Sequence, residues 1–319
     1  MTTILLGFDP GTLSEAQLPE VQEAAPDMQI LVTEGREEIE SVLDEIEIAF
    51  GSFPRDLLPR ARNLRWLQQW GAGADWLLRH PEAVELDFVL TNTSGVHAIP
   101  VSEHILAFLL AFGRGLHLAI RAQQRHEWKG SDRGRFELAG KTMVLVGVGA
   151  IGERTAEMAA ALGMRVLGVR RDPTAGAPGV EAMSGPHQLM DLLPEADFVV
   201  LTVPLTHETQ GMIGERELRA MKQTAYVVNT GRGSTIREPA LIRALQEGWI
   251  AGAGLDVFET EPLPDDSPLW AMDNVIITSH CADVTPHYGE RAMKIFLDNL
   301  QRYRAGEPLR NVVDKRIGY

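Results

Sequence analysis

The run Gly147-Val148-Gly149-Ala150-Ile151-Gly152 constrains this chain more than any other stretch. The strand-like run 141–146, apolar from Met143 onward, precedes it, and Ala156, Ala159, Ala160 and Leu162 behind it give one apolar helical face. Strand, tight turn and helix are therefore expected in that order. Each glycine has its own duty in such a turn. Gly147 permits the sharp reversal, Gly149 lets an anion come up to the backbone, and Gly152 lets helix and strand pack closely. Ala150 and Ile151 open the helix, where free N–H groups and the positive dipole end favour a phosphate. Residues 166–169 supply the next strand, so the context required of a dinucleotide-binding turn is present. The competing reading is a glycine turn that serves packing alone. The turn also lies near the middle of 319 residues, which is chain enough for two domains of ordinary size.

Upstream, strand-like segments at 4–8, 28–32, 45–50 and 88–91 alternate with helix-like segments at 15–24, 37–43 and 74–80. That rhythm implies a parallel sheet with helices on its faces. A long helical pattern runs from Pro100 to about Trp128, with proline at the start, where it is tolerated. Further strands are expected near 143–147, 165–169, 197–202, 225–229, 252–256 and 275–278. A last helix at 286–303 reads as a return to the first domain.

The formal net charge of −14 disfavours nucleic acid and anionic membrane as partners, since both need a positive footprint. The longest apolar stretch, 105–112, is far short of a membrane span. A single cysteine, Cys281, excludes an internal disulfide and fits a reducing cytoplasm. The opening residues lack a basic segment and read as a first strand, not a signal peptide.

Three ionisable residues follow late strands: Arg232 after 226–229, Glu261 after 254–258, and His280 after 275–278. Ligands of an open parallel sheet bind beyond the carboxyl ends of its strands, so all three are candidates to surround a substrate. Taken singly, each has a bland reading as surface charge, solvated carboxylate or structural histidine. Their joint placement behind one glycine turn favours the functional reading.

These motifs, with Thr202-Val203-Pro204-Leu205-Thr206, Asn229-Thr230-Gly231-Arg232-Gly233, the segment 254–262 and Thr278-Ser279-His280, resemble the D-isomer-specific 2-hydroxyacid dehydrogenase family over nearly the whole chain. The resemblance implies an α/β fold of two doubly wound parallel-sheet domains. A Rossmann cofactor domain, 99–285, would be inserted into a flavodoxin-like substrate domain of 1–98 and 286–319. It implies that Arg232 grips the substrate, that His280 is the acid/base, that Glu261 pairs with His280, and that Ala72 and Gly73 in the loop 71–75 receive the substrate carboxylate. The cofactor would lie along Gly147, Gly149, Ala150, Ile151, Gly152, Val203, Pro204, Thr209, Thr230, Gly231, Arg232, Asp256 and His280. No metal is expected. The chain departs from many members at Ser279, where they carry proline before the histidine.

The chemistry of those roles follows from the residue types. Reducing a 2-oxo acid needs a hydride at the carbonyl carbon and a proton at its oxygen. A carboxylate beside His280 favours the charged imidazolium that donates the proton. The planar fork of Arg232 suits a carboxylate better than a lysine would. Ala72 and Gly73 offer backbone N–H groups without a bulky side chain. Trp70, Trp76 and His97 are candidates to line the same cleft, with core packing the expectation for at least one tryptophan.

Cofactor choice has its own signal. An NAD-binding unit places a carboxylate about 20 residues past the glycines. Eighteen positions past Gly152 stands Arg170, followed by Arg171, so NADP(H) is expected over NAD(H). Asp172 comes next and argues the other way. The helical stretch 100–128 is apolar on more than one side, which suits a homodimer. The sequence therefore reads as a cytoplasmic NADP(H)-dependent 2-oxoacid reductase of the glyoxylate/hydroxypyruvate type, making D-2-hydroxy acids. The alternatives are a catalytically weak nucleotide-sensing binding protein of the same fold and an NAD-dependent D-2-hydroxyacid dehydrogenase.

Overall fold

A computed structural model describes residues 2–9, 17–128 and 134–319. The chain divides into two compact units: Met1–Val96 with Thr285–Tyr319, and His97–Val284.

Among the described residues the first unit holds five strands, β1 (Thr3–Gly7), β2 (Gln29–Val32), β3 (Ile46–Gly51), β4 (Trp66–Gln68) and β5 (Val89–Thr91). All pair in parallel in the order β2-β1-β3-β4-β5. Every residue of β1 is buried, as a strand covered on both faces must be. Alternate side chains then enter opposite cores. Leu5, Ala49 and Leu67 face one cluster; Ile4, Leu6, Ile48, Phe50 and Trp66 face the other. The helices are α1 (Gln17–Ala24), α2 (Arg36–Ser41) and α9 (Tyr288–Ala305). Phe296 of α9 stacks on Phe50 at 4.4 Å and on Trp66 at 5.3 Å between ring centroids.

Among the described residues the second unit holds seven strands: β6 (Thr142–Val146), β7 (Arg165–Val169), β8 (Ala182–Ser184), β9 (Phe198–Leu201), β10 (Tyr226–Asn229), β11 (Gly252–Leu255) and β12 (Val275–Ile277). They are all parallel, in the order β12-β11-β10-β9-β6-β7-β8. Both sheets are thus doubly wound, as expected. The order of the second reverses at β6, which pairs with β7 on one side and β9 on the other. Helices α3 (Ala98–Arg114) and α5 (Ala150–Ala161) share one core with Met143, Leu145 and Val200. The short α6 (Leu189–Leu192), α7 (Glu215–Ala220) and α8 (Glu238–Glu247) share the other with Val144, Val146 and Val199.

Several local expectations are corrected. The single helix expected over 100–128 is two, α3 and α4 (Leu116–Gln124), bent by 73°. Gly115 makes the break: it adopts the left-handed region at φ 64°, which glycine enters without penalty, and its N–H closes α3 onto Ala111 and Phe112 carbonyls. The helix expected over 74–80 is a single tight turn, Asp75–Leu78. Strands β4 and β8 lie where none was expected. The helix expected over 15–24 starts outside the described residues, which take it up at Gln17. Among the described residues no single helix is long and apolar enough to cross a membrane.

Candidate active site

The turn between β6 and α5 uses its three glycines in three ways. At Gly147, with φ 101°, an added Cβ would lie 2.9 Å from the Thr202 backbone and from Val203 Cγ1. At Gly152 it would lie 2.2 Å from the Gly147 carbonyl oxygen, so helix and turn touch there backbone to backbone. At Gly149 it would meet nothing within 4 Å. Gly149 caps α5, so the open space sits at a helix N-terminus, beside Ala150 and Ile151. A cradle of this kind, with free N–H groups and the positive dipole end, fits a pyrophosphate. The Thr202 hydroxyl donates to the Gly147 carbonyl at 2.6 Å and ties the turn to the end of β9.

Beyond β9, Thr209 Oγ1 donates to the Pro204 carbonyl at 2.6 Å and accepts the Thr206 N–H at 2.8 Å. Beyond β10, the Gly231 N–H donates to Asn229 Oδ1 at 3.1 Å. Thr230 Oγ1 is buried and meets no partner among the described residues, a polar atom left over just past the end of β10. At the end of β7, Arg170 lies 3.9 Å from Glu153 and Arg171 lies 3.6 Å from Glu208. The Asp172 carboxylate accepts from the Thr174 N–H at 3.0 Å and its hydroxyl at 2.5 Å, which holds its pKa below the usual carboxylate range.

The late strand ends bring two of the three ionisable candidates into contact. His280 Nδ1 lies 2.7 Å from Glu261 Oε2, while Glu261 Oε1 accepts the Phe258 N–H at 2.9 Å. A carboxylate only accepts, so Nδ1 bears the hydrogen and Nε2 is the free position. Nε2 makes no hydrogen bond among the described residues, and the side chain is 45% exposed. Arg232 is half-buried, and its carbonyl is clamped by Asn229 Nδ2 at 3.0 Å and Thr235 Oγ1 at 2.6 Å. Gly233 must be glycine, because a Cβ would fall 1.9 Å from the Phe258 backbone. That contact seats the Arg232 loop against the loop leading to Glu261. His97 is buried in the same unit. Burial lowers its pKa, Asp283 at 4.0 Å partly opposes the shift, and the Arg232 charge adds to it.

Asp256 is buried, and its carboxylate points into the protein. It accepts from Cys281 N–H and Ala282 N–H at 3.0 Å each and from the Thr278 hydroxyl at 2.5 Å. His104 of α3 completes this group at 3.0 Å from Thr278 Oγ1. Nothing in the sequence marks His104, which is 174 residues from Thr278.

The loop 71–75 belongs to the first unit. Gln69 Nε2 donates to the Gly71 and Gly73 carbonyls at 2.9 and 2.7 Å, and Asn92 Nδ2 donates to the Ala72 carbonyl at 2.8 Å. With three successive carbonyls held by side-chain amides, the N–H groups of Ala72 and Gly73 donate to nothing among the described residues. Successive N–H groups left unspent in this way are of the kind that anion-binding backbone nests use. Gln69 is held in turn by Trp76 Nε1 at 2.8 Å. Trp76 is a core residue, whereas Trp70 packs against Phe8 at the rim of the other core. The expectation named the loop but missed Gln69 and Asn92, whose roles only the folded chain reveals.

Comparison with known proteins agrees with this geometry. Residues 106–282 match the family model of the NAD-binding domain of D-isomer-specific 2-hydroxyacid dehydrogenases. The chain is 38% identical over 269 residues to a glyoxylate reductase of Korarchaeum cryptofilum, spanning 82% of this chain and 80% of that one. It superposes on an NADPH-dependent glyoxylate/hydroxypyruvate reductase of Sinorhizobium meliloti, solved with NADP and sulfate, with a TM-score of 0.85 and 29% identity over all of both chains. A D-isomer-specific 2-hydroxyacid dehydrogenase of Xanthobacter autotrophicus, solved with NADPH and MES, gives 0.83 and 30% over 100% of this chain and 99% of that one. Glycine turn, strand order and profile converge, and the chain belongs to the D-isomer-specific 2-hydroxyacid dehydrogenase family.

Proposed function

We propose that this NAD(P)-dependent oxidoreductase reduces a small 2-oxo acid of the glyoxylate/hydroxypyruvate type to a D-2-hydroxy acid, with NADPH preferred over NADH. The observation that carries the reading is the His280–Glu261 pair, with Nδ1 engaged and Nε2 free. When bound, the nicotinamide supplies the hydride for the carbonyl carbon. His280 Nε2 gives the proton to the carbonyl oxygen, and Glu261 stabilises the imidazolium that does so. The Arg232 fork binds the substrate carboxylate and polarises the carbonyl. The unspent N–H groups of Ala72 and Gly73 are offered to a carboxylate. In the reverse direction the neutral imidazole accepts the alcohol proton.

The nucleotide is assigned to the cradle at Gly147, Gly149 and Gly152, bordered by Val203, Pro204, Thr209, Thr230 and Gly231. Asp256 acts there through the loop that it holds. Arg170 and Arg171 are assigned to the 2′-phosphate, and the relatives solved with NADP or NADPH support that choice. A homodimer belongs to the same reading, supported by the exposed Leu110 of α3 and the exposed Leu116, Leu118 and Ile120 of α4. A cytoplasmic setting is supported by the single cysteine. Oxidation of NADPH and NADH with a panel of 2-oxo acids tests the function. Turnover fastest with glyoxylate or hydroxypyruvate and NADPH is expected. Nucleotide binding without turnover on any 2-oxo acid would overturn it in favour of a sensing protein.

A further inference from the structure

We infer that His104 is a positioning residue for His280, acting through Thr278 and Asp256; the inference rests on the reading of His280 as the proton donor. His280 has φ 50°, in the left-handed region that few residues other than glycine enter. Ser279 precedes it and does nothing to stiffen the chain as a ring would. A strained backbone of this kind persists only where its surroundings over-determine it. Here they do, and they converge on one residue. His280 N–H donates to the Asp256 carbonyl at 2.8 Å, Cys281 N–H to Asp256 Oδ1, and Ala282 N–H to Asp256 Oδ2. Three successive backbone donors are thereby gathered on one buried aspartate.

Hydrogen accounting then fixes the outer links. The Thr278 hydroxyl has one hydrogen, and the carboxylate 2.5 Å away can only accept, so that hydrogen lies on Asp256 Oδ1. Thr278 Oγ1 is left as an acceptor, and the group facing it at 3.0 Å is His104 Nε2, which must carry a hydrogen. The same nitrogen lies 3.9 Å from Asp256 Oδ1. The His104 ring is packed on one side. Its ring stands edge-on to Phe108 at 4.8 Å and 87°, and Phe108 is pressed on β11, where a Cβ on Gly254 would lie 2.8 Å from its ring. Donation therefore runs from α3 through Thr278 into Asp256, and from the loop amides into Asp256 from the other side. Removing the His104 donor frees the Thr278 hydroxyl to rotate and loosens the aspartate that sets the position of His280.

The test uses the full-length enzyme with NADPH and its best 2-oxo acid. His104→Leu is expected to lower kcat about tenfold, within the range for misplacing a catalytic group by a fraction of an ångström. NADPH affinity, read by its fluorescence, should stay within about twofold. The solvent deuterium isotope effect on kcat should rise, because proton delivery becomes slower. His104→Gln, which keeps an N–H donor, should restore most of the turnover. The double variant His104→Leu/Thr278→Val should be no worse than Thr278→Val alone, since both cut one chain. Wild-type kcat in His104→Leu, an unchanged isotope effect, an equal loss in His104→Gln, or losses that multiply in the double variant would each overturn the inference. Should His104→Leu not fold, Thr278→Val cuts the chain from its other end and must show the same loss and the same rise in isotope effect. Wild-type turnover in His280→Ala would instead sink the underlying reading of His280.

Discussion

Replacing Gly149 and Gly152 by alanine, one at a time, should give opposite failures although the two lie in the same turn. A Cβ on Gly149 meets nothing within 4 Å, and its backbone (φ −105°, ψ −158°) is open to any residue. Folding should therefore be affected by no more than about 0.5 kcal/mol, the range of a harmless surface change. The methyl group would stand where the pyrophosphate must approach. Losing one charge-assisted contact of about 1.5–3 kcal/mol raises the NADPH dissociation constant roughly 10- to 150-fold. At Gly152 the Cβ lands 2.2 Å from the Gly147 carbonyl oxygen, and backbone has to move about 0.8 Å to restore 3.0 Å. Overpacking of that severity costs about 3 kcal/mol, offset by about 1 kcal/mol because alanine favours the helix. A net loss near 2 kcal/mol lowers the Tm of a unit this size by about 4–8 °C. Thermal melts without cofactor and calorimetric titration with NADPH separate the two effects. Wild-type NADPH affinity in Gly149→Ala would show that the pyrophosphate does not use this cradle. A wild-type Tm in Gly152→Ala would show that the close approach of helix and turn carries no weight.

The remaining predictions concern single side chains. His280→Ala should lower kcat by about 10²–10⁴-fold with NADPH binding intact, and near-normal turnover would end its role as proton donor. Arg232→Lys keeps the charge but loses the fork, so both KM and kcat should suffer; unchanged kcat/KM would make Arg232 structural. Arg170→Asp should cut kcat/KM for NADPH and spare NADH, and equal use of both cofactors by the wild type would leave Arg170 and Arg171 as solvated charges. His97 is held below its ordinary pKa of 6.5 mainly by burial, so the folded protein favours the neutral ring. Its contribution to stability is present above that pH and is lost as pH falls below it. Tm between pH 7 and pH 5 should thus fall more steeply in the wild type than in His97→Gln; parallel curves would remove His97 from the acid response.

The features that were legible in the sequence are those that depend on neighbours in the chain. The glycine turn, the long apolar strands and the order of their ends are local patterns, and the outline of both sheets follows from them. What escaped depends on distant partners. Strand β4 is Trp66-Leu67-Gln68, with no β-branched residue; it is a strand because β3 and β5 hold it from both sides. Strand β8 is three residues at the sheet edge, drawn in by β7. One glycine, Gly115, breaks a helix whose apolar period runs on undisturbed. At the site, residue type and strand-end position were enough to nominate His280 and Glu261, but their 2.7 Å contact depends on the loops between. Gln69, Asn92 and His104 carry no local signature, because what each does is set by a group that only folding brings near.

The insertion of the cofactor unit also sets the order in which the chain can finish folding. Helix α9, which brings Phe296 onto Phe50 and Trp66, belongs to the first unit but is made last. At about 5–20 residues per second, the stretch between Val96 and Thr285 takes on the order of 10–40 s to synthesise. Throughout that interval the face of the first sheet that carries Phe50 and Trp66 has Val21 and Ala25 but lacks the α9 part of its cover, while the cofactor unit, uninterrupted in sequence, has everything it needs to close. The nascent first unit is therefore the vulnerable half of this protein on the ribosome, and it is the half that holoenzyme assembly has to wait for.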